Sequence, residues 1–277
     1  MGIIIRQSVK NSLVSYVGVI IGVVNVLWLT PMYLSKAEIG VTRYMLVFGL
    51  LLAQLAQLGT SQMAVRFFTY FKDETQQYRG FFGFLLLLPL AGFGLVTVAY
   101  LGLRPLFVSV YQGKSPELVR YYFHFLPLVL FMVYMGVLEA YSRVHLRIVV
   151  PALVRELFLK TANALLILAY GLGYIGFSQL VACLVGTYGL AVVVLFVYVK
   201  ILGRLYLRLD FSFVRTPVFR EMLTYGFFVI LGGVGTMLAT EIATLMLPAY
   251  KGGLEATGIY ALAFNIAVVI EIPRRAI

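Results

Sequence analysis

Four ionisable side chains, Arg66, Glu156, Lys160 and Glu241, stand inside or at the edge of long apolar runs. In hydrocarbon such groups are expensive unless they meet a partner or line a water-filled cavity, so each is a candidate for chemistry. Lys160 lies nine positions beyond Pro151, and Glu156 precedes it by four, the spacing and order that favour a helix ion pair. The pair either offers Lys160 to an anionic head group, with Glu156 tuning it, or is an internal salt bridge without a ligand. Glu241 follows nineteen uncharged residues and precedes nine more, in a stretch loosened by Gly232, Gly233 and Gly235. A carboxyl there, or at Glu156, could take up and release an ion; the plainer reading of Glu241 is a hydrogen bond to a neighbouring helix. Arg66 ends another apolar run and presents a planar fork that suits phosphate oxygens, unless it is only an interfacial anchor. Glu139 precedes Arg143 by four and is expected at the interface or paired to it, and His124 is expected to serve packing.

The elements that position these groups must be membrane helices. Of 277 residues 62% are hydrophobic and 12% charged, whereas a soluble domain carries roughly 25% charge. The mean hydropathy is +0.97. Segments 11–35, 44–65 and 80–103 contain no Asp, Glu, Lys or Arg, and about 20 such residues suffice to cross a bilayer. The run 161–199 would reach about 60 Å as one helix, twice a hydrocarbon core of about 30 Å, so it must turn back near Gly171, Gly173 and Gly176. Isolated strands would leave backbone groups unpaired in lipid. The expected architecture is therefore all-α, with about eight spans at 12–34, 44–67, 80–102, 121–142, 151–171, 175–199, 221–248 and 257–273.

The net charge of +11 does not point to nucleic acid, because the charges cluster in alternate loops. Arg66, Lys72, Arg79, Arg143, Arg147, Arg155, Lys200, Arg204, Arg208, Arg215 and Arg220, with Arg6, Lys10, Arg274 and Arg275 at the chain ends, fall on one side. Lys36, Arg43, Arg104, Lys114, Arg120 and Lys251 fall on the other, which places the N-terminus in the cytoplasm. The first apolar run is too long for a signal peptide and is expected to be retained. The stretch 200–220 reads either as a segment lying on anionic lipids of the inner leaflet or as a plain linker. One cysteine, Cys183, and two histidines offer no disulfide, metal or redox site, and no P-loop, HExxH or nucleophile elbow is present. The expectation is a protein without cofactor or metal and not an enzyme.

Pro31, Tyr33, Glu38, Gly40, Tyr44, Leu46 and Phe48 recur in order as Pro248, Tyr250, Glu255, Gly258, Tyr260, Leu262 and Phe264. Six spans separate the copies, so both would run in the same direction, as in transporters built from parallel repeats around a cavity. The division expected is a six-helix lobe at 1–199, a cytoplasmic linker at 200–220, and the first two helices of a second lobe at 221–277, the start of a longer or split transporter.

Val9, Lys10, Asn11 and Ser12, the turn from Leu34 to Gly40, the segment Leu58-Gly59-Thr60-Ser61-Gln62-Met63-Ala64-Val65-Arg66-Phe67-Phe68, the Phe219–Gly226 entry and the Gly258–Ala263 entry together carry a resemblance. They resemble the polysaccharide transporter branch of the multidrug, oligosaccharidyl-lipid and polysaccharide exporter superfamily. The resemblance implies an inner-membrane flippase of bacteria that moves an undecaprenyl-diphosphate-linked glycan by alternating access, coupled to protons or sodium. Within that reading, the depth and spacing of the ionisable residues put the anionic head group at Arg66 and Lys160 and ion coupling at Glu241 and Glu156. The alternatives are a multidrug or cation antiporter of the same superfamily and, in another class, a membrane-embedded glycan polymerase or acyltransferase.

Overall fold

A computed structural model describes residues 3–71, 80–203 and 216–275, with side chains described between Gln7 and Ala267. Every regular element among the described residues is helical, which keeps all backbone hydrogen bonds within the segment. The first apolar run forms α1 (Ile3–Val24), a π-helical turn (Asn25–Leu29) and α2 (Thr30–Tyr33). Ser35 then starts α3 (Lys36–Ala56): its backbone N–H and hydroxyl both donate to Glu38 Oε2 at 2.8 Å, and its Oγ accepts from the Glu38 N–H at 3.4 Å. This reciprocal cap lets the second span begin at Lys36, ahead of the expected start at 44.

The expected unbroken span 44–67 is also two helices. Leu58 and Gly59 take left-handed conformations, φ 49° and 73°, before the chain resumes as α4 (Thr60–Phe67). Glycine suits this turn twice over. It tolerates positive φ, and a Cβ at Gly59 would lie 2.8 Å from the Cα of Gly226 on a crossing helix.

The rest of the chain forms α5 (Phe81–Gly102), α6 (Arg104–Tyr111), α7 (Pro116–Arg120), α8 (Phe125–Val144) and α9 (Val149–Ala152). A second π-helical turn (Leu153–Phe158) leads into α10 (Leu159–Gly171), α11 (Phe177–Ile201), α12 (Pro217–Met246) and α13 (Gly253–Arg275). The reversal expected near Gly171 to Gly176 separates α10 from α11, with Gly173 at φ 78°. Among the described residues six stretches are long and apolar enough to cross a membrane: Gln7–Tyr33, Lys36–Ala56, Phe81–Gly102, Tyr122–Val144, Phe177–Ile201 and Pro217–Ala249. The stretches expected as the fifth and eighth spans are helical as well, the fifth carrying Arg155, Glu156 and Lys160. Most of the 200–220 segment expected on the leaflet surface, residues 204–215, lies outside the described residues, as do Lys72 and Arg79.

Helix α3 is the hub, packing on α5, α8, α12 and α13. One cluster of buried rings and aliphatics (Phe67, Phe68, Phe81, Phe82, Tyr141, Leu195, Met222) closes the end of the bundle near Arg66 and Arg143. A second (Tyr44, Tyr100, Phe107, Tyr122, Phe125, Leu254) closes the opposite end. Leu95, Val98, Leu165, Val193 and Phe228 point outward and exposed, as lipid-facing side chains must.

Candidate functional site

Polar side chains gather beside the break in the second span. Irregular backbone at membrane depth is tolerated where it is buried in protein or lines a wet cavity. Here a cleft of about 440 Å³ is lined by Gln57, Ser61, Gln62 and Arg66 from the break and α4, by Gly136, Glu139 and Arg143 from α8, and by Tyr225 from α12. Gly136, Glu139 and Arg143 share a face of α8 because they recur at three and four residues. A Cβ at Gly136 would overlap the amide nitrogen of Gln57, which donates to the Val133 carbonyl at 3.2 Å, so glycine there keeps the cleft open.

Arg66 is about half exposed, with Cζ 4.4 Å from the centre of the Tyr225 ring. Its closest carboxylate among the described residues, Glu221, is 3.6 Å away and equally exposed, a loose pairing that leaves guanidinium N–H groups for an incoming anion. Arg143, read from sequence only as an anchor or partner of Glu139, lines the same cleft. Glu139 pairs instead with Arg155, at 3.3 Å, because the second π turn carries Arg155 to it. A smaller recess of about 300 Å³ continues behind Glu139 and Arg143, bounded by Asn11, Pro151 and Arg155.

Lys160 is not among the residues lining the cleft. It forms the expected pair with Glu156 at 2.8 Å and also donates to the Gly18 carbonyl at 3.0 Å, turning toward α1. The Asn25 amide donates to the Lys160 carbonyl at 2.7 Å, so the first π turn clasps the same point. Gly18 permits this approach, since a Cβ there would stand 2.7 Å from the Glu156 Cβ. Glu156 in turn accepts from Arg155 Nε at 3.1 Å. Lys160, Glu156, Arg155 and Glu139 thus form an alternating chain of charges that runs from the α1 contact to the cleft wall.

Glu241 lies apart from the cleft. Arg43 donates to both its oxygens, at 2.7 and 2.9 Å, and Thr244 donates at 2.9 Å. The Arg43 guanidinium also rests 5.3 Å from the centre of the Phe264 ring, so α3, α12 and α13 meet at this one cation. Of the four residues singled out by type, the structure therefore places Arg66 in the cleft, Glu156 and Lys160 on the chain leading to it, and Glu241 in a separate clasp. Gln57, Gly136, Arg143 and Tyr225 were missed as site residues. Gln57 had a usable signal: with Ser61 and Gln62 it puts polar side chains near the end of a charge-free, mostly apolar run.

Architecture and composition define a multi-pass, all-helical membrane protein. No protein-family model, curated protein or solved structure matches the chain.

Proposed function

We propose that this protein is a polysaccharide-export flippase, moving a lipid-diphosphate-linked oligosaccharide across the bacterial inner membrane, with its N-terminus cytoplasmic and eight spans in all. The observation that carries the reading is the polar cleft inside a membrane protein, where two guanidinium groups, two side-chain amides and a tyrosine ring converge. Guanidinium forks suit diphosphate oxygens, and amides with an aromatic face suit sugar hydroxyls and ring carbons. Two arginines against one glutamate on the cleft wall favour an anionic cargo over the cations of a multidrug antiporter. In this reading Arg66 and Arg143 receive the diphosphate, and Lys160 with Glu156 biases Glu139 through Arg155. Glu241 exchanges its Arg43 partner as a proton or sodium ion is taken up.

The test is head-group flipping of a fluorescent lipid-diphosphate saccharide by the full chain reconstituted in vesicles. Arg66→Gln and Arg143→Gln are each expected to lower the rate about ten-fold, the loss of one charge-assisted hydrogen bond set. Lys160→Ala and Glu241→Gln are expected to slow transport less. Unaltered rates in all four variants would remove the assignment.

A further inference from the structure

A second recess, of about 430 Å³, opens at the other end of the bundle between α3, α5 and α6, and its wall is almost wholly carbon. The tyrosines in that wall have spent their hydroxyls on one another: Tyr44 and Tyr111 share a hydrogen bond at 3.0 Å, Tyr100 donates to the Tyr122 carbonyl at 3.1 Å, and Tyr122 donates to the Tyr100 carbonyl. What remains facing the recess is ring faces and aliphatic side chains, Leu103 and Leu106 among them, a surface with nothing to offer a polar ligand. The rings hold one another, with Phe107 packed edge-on or tilted against Tyr100, Tyr111, Tyr122 and Phe125, so none of them turns into the hollow without losing that packing.

Arg104 lies in sequence between Leu103 and Leu106, two of the leucines that line the recess, just past the end of α5 where a span reaches head-group depth. It occupies the first turn of α6, where a cation works against the helix dipole, so the helix itself gains nothing from it. Its contacts are the faces of Tyr122 at 5.9 Å and Phe123 at 5.2 Å, and among the described residues it has no carboxylate partner. A carbon-walled hollow beside an unneutralised, exposed cation at that depth matches one molecule of the surrounding solvent. We propose that the recess holds one acyl chain of an anionic phospholipid whose phosphate rests on Arg104. The site does not depend on the cleft near Arg66 or on what that cleft carries.

The test is native mass spectrometry of the full chain released from detergent containing equal amounts of phosphatidylglycerol and phosphatidylcholine. The wild-type chain is expected to keep one phosphatidylglycerol with about five-fold preference, the worth of one arginine near an anionic surface. Arg104→Gln is expected to keep a lipid but lose the preference. Ala99→Phe on α5 and Val110→Phe on α6 fill the hollow from two helices and are expected to lose the lipid. Ala99 is exposed, so its enlargement spares the packed side. Equal retention of both lipids by the wild type, or undiminished lipid in the filled variants, would overturn the proposal. So would stronger retention of an isoprenoid diphosphate than of phosphatidylglycerol, which would give the recess to the transported lipid. Should a filled variant fail to fold, Arg104→Gln at its exposed position still decides.

Discussion

Gly258 of α13 lies directly over Gly40 of α3: a Cβ on Gly258 would stand 3.2 Å from the Gly40 nitrogen and would overlap the Lys36 carbonyl. A Cβ on Gly40 would in turn overlap the Leu254 carbonyl. The contact is reciprocal at a single offset, since 258 − 40 and 254 − 36 both equal 218. Two segments with similar sequence therefore meet through the same face, in the manner of an isologous interface. This is the arrangement that a helix pair related by an internal two-fold would adopt, and it supports the reading of 31–48 and 248–264 as copies.

Either glycine replaced by alanine should force the helices apart. Gly40→Ala and Gly258→Ala are each expected to cost about 1–3 kcal/mol by overpacking. Gly94, with open space where its Cβ would be, supplies the control, and Gly94→Ala should be neutral or slightly stabilising. Thermal unfolding in detergent separates these outcomes; equal midpoints for all three would mean α3 and α13 are not in backbone contact.

The Arg43 and Glu241 side chains are 23% and 18% exposed, so their pair is largely shielded. A double-mutant cycle on Arg43→Ala and Glu241→Ala should return a coupling of about 1–3 kcal/mol. A coupling near zero would leave the clasp without energetic weight.

Lys160→Ala strands Glu156 between α1 and α10 with only Arg155 to answer it. The single variant is expected to be less stable than the double variant Glu156→Gln, Lys160→Met by about 1–2 kcal/mol, because a largely shielded carboxylate that has lost one of its two cations costs more than a neutral amide. Chemical denaturation in mixed micelles reads the order, and the reverse order would show that the pair is not buried.

At Gly59 an added side chain meets both a left-handed backbone and Gly226. Gly59→Ala should cost about 1–2 kcal/mol from conformation alone, and the loss of the tight α4–α12 crossing should widen the cleft. Accessibility of a cysteine placed at Ser61 to a polar maleimide is expected to rise in that variant. Unchanged labelling would show that the crossing does not set the cleft width.

Much of the scaffold was legible in the residues. Charge-free runs of membrane length, the glycines at 171, 173 and 176, and the i, i+4 spacing of Glu156 and Lys160 led to helices, a reversal and an ion pair that the structure contains. These are local properties, set by hydropathy and helical period. The helix break was harder to see, because the left-handed pair Leu58-Gly59 sits in a run whose hydropathy alone reads as one helix; the capping box at Ser35 moved the start of that span to Lys36, ahead of the expected 44. Glu139 shows the same limit: spacing offered Arg143, whereas the π turn of another span delivered Arg155.

The sequence by itself determined the solvent of this protein and the helical class, since so few charges cannot cover a water-facing surface and unpaired backbone cannot stand in oil. Only the tertiary structure decided which ionisable groups face a hollow and which face each other. That choice depends on where α1, α8, α12 and α13 cross α3 and α10. The crossings are set by single missing Cβ atoms at Gly18, Gly40, Gly59, Gly136 and Gly258, whose effect appears only when two helices touch.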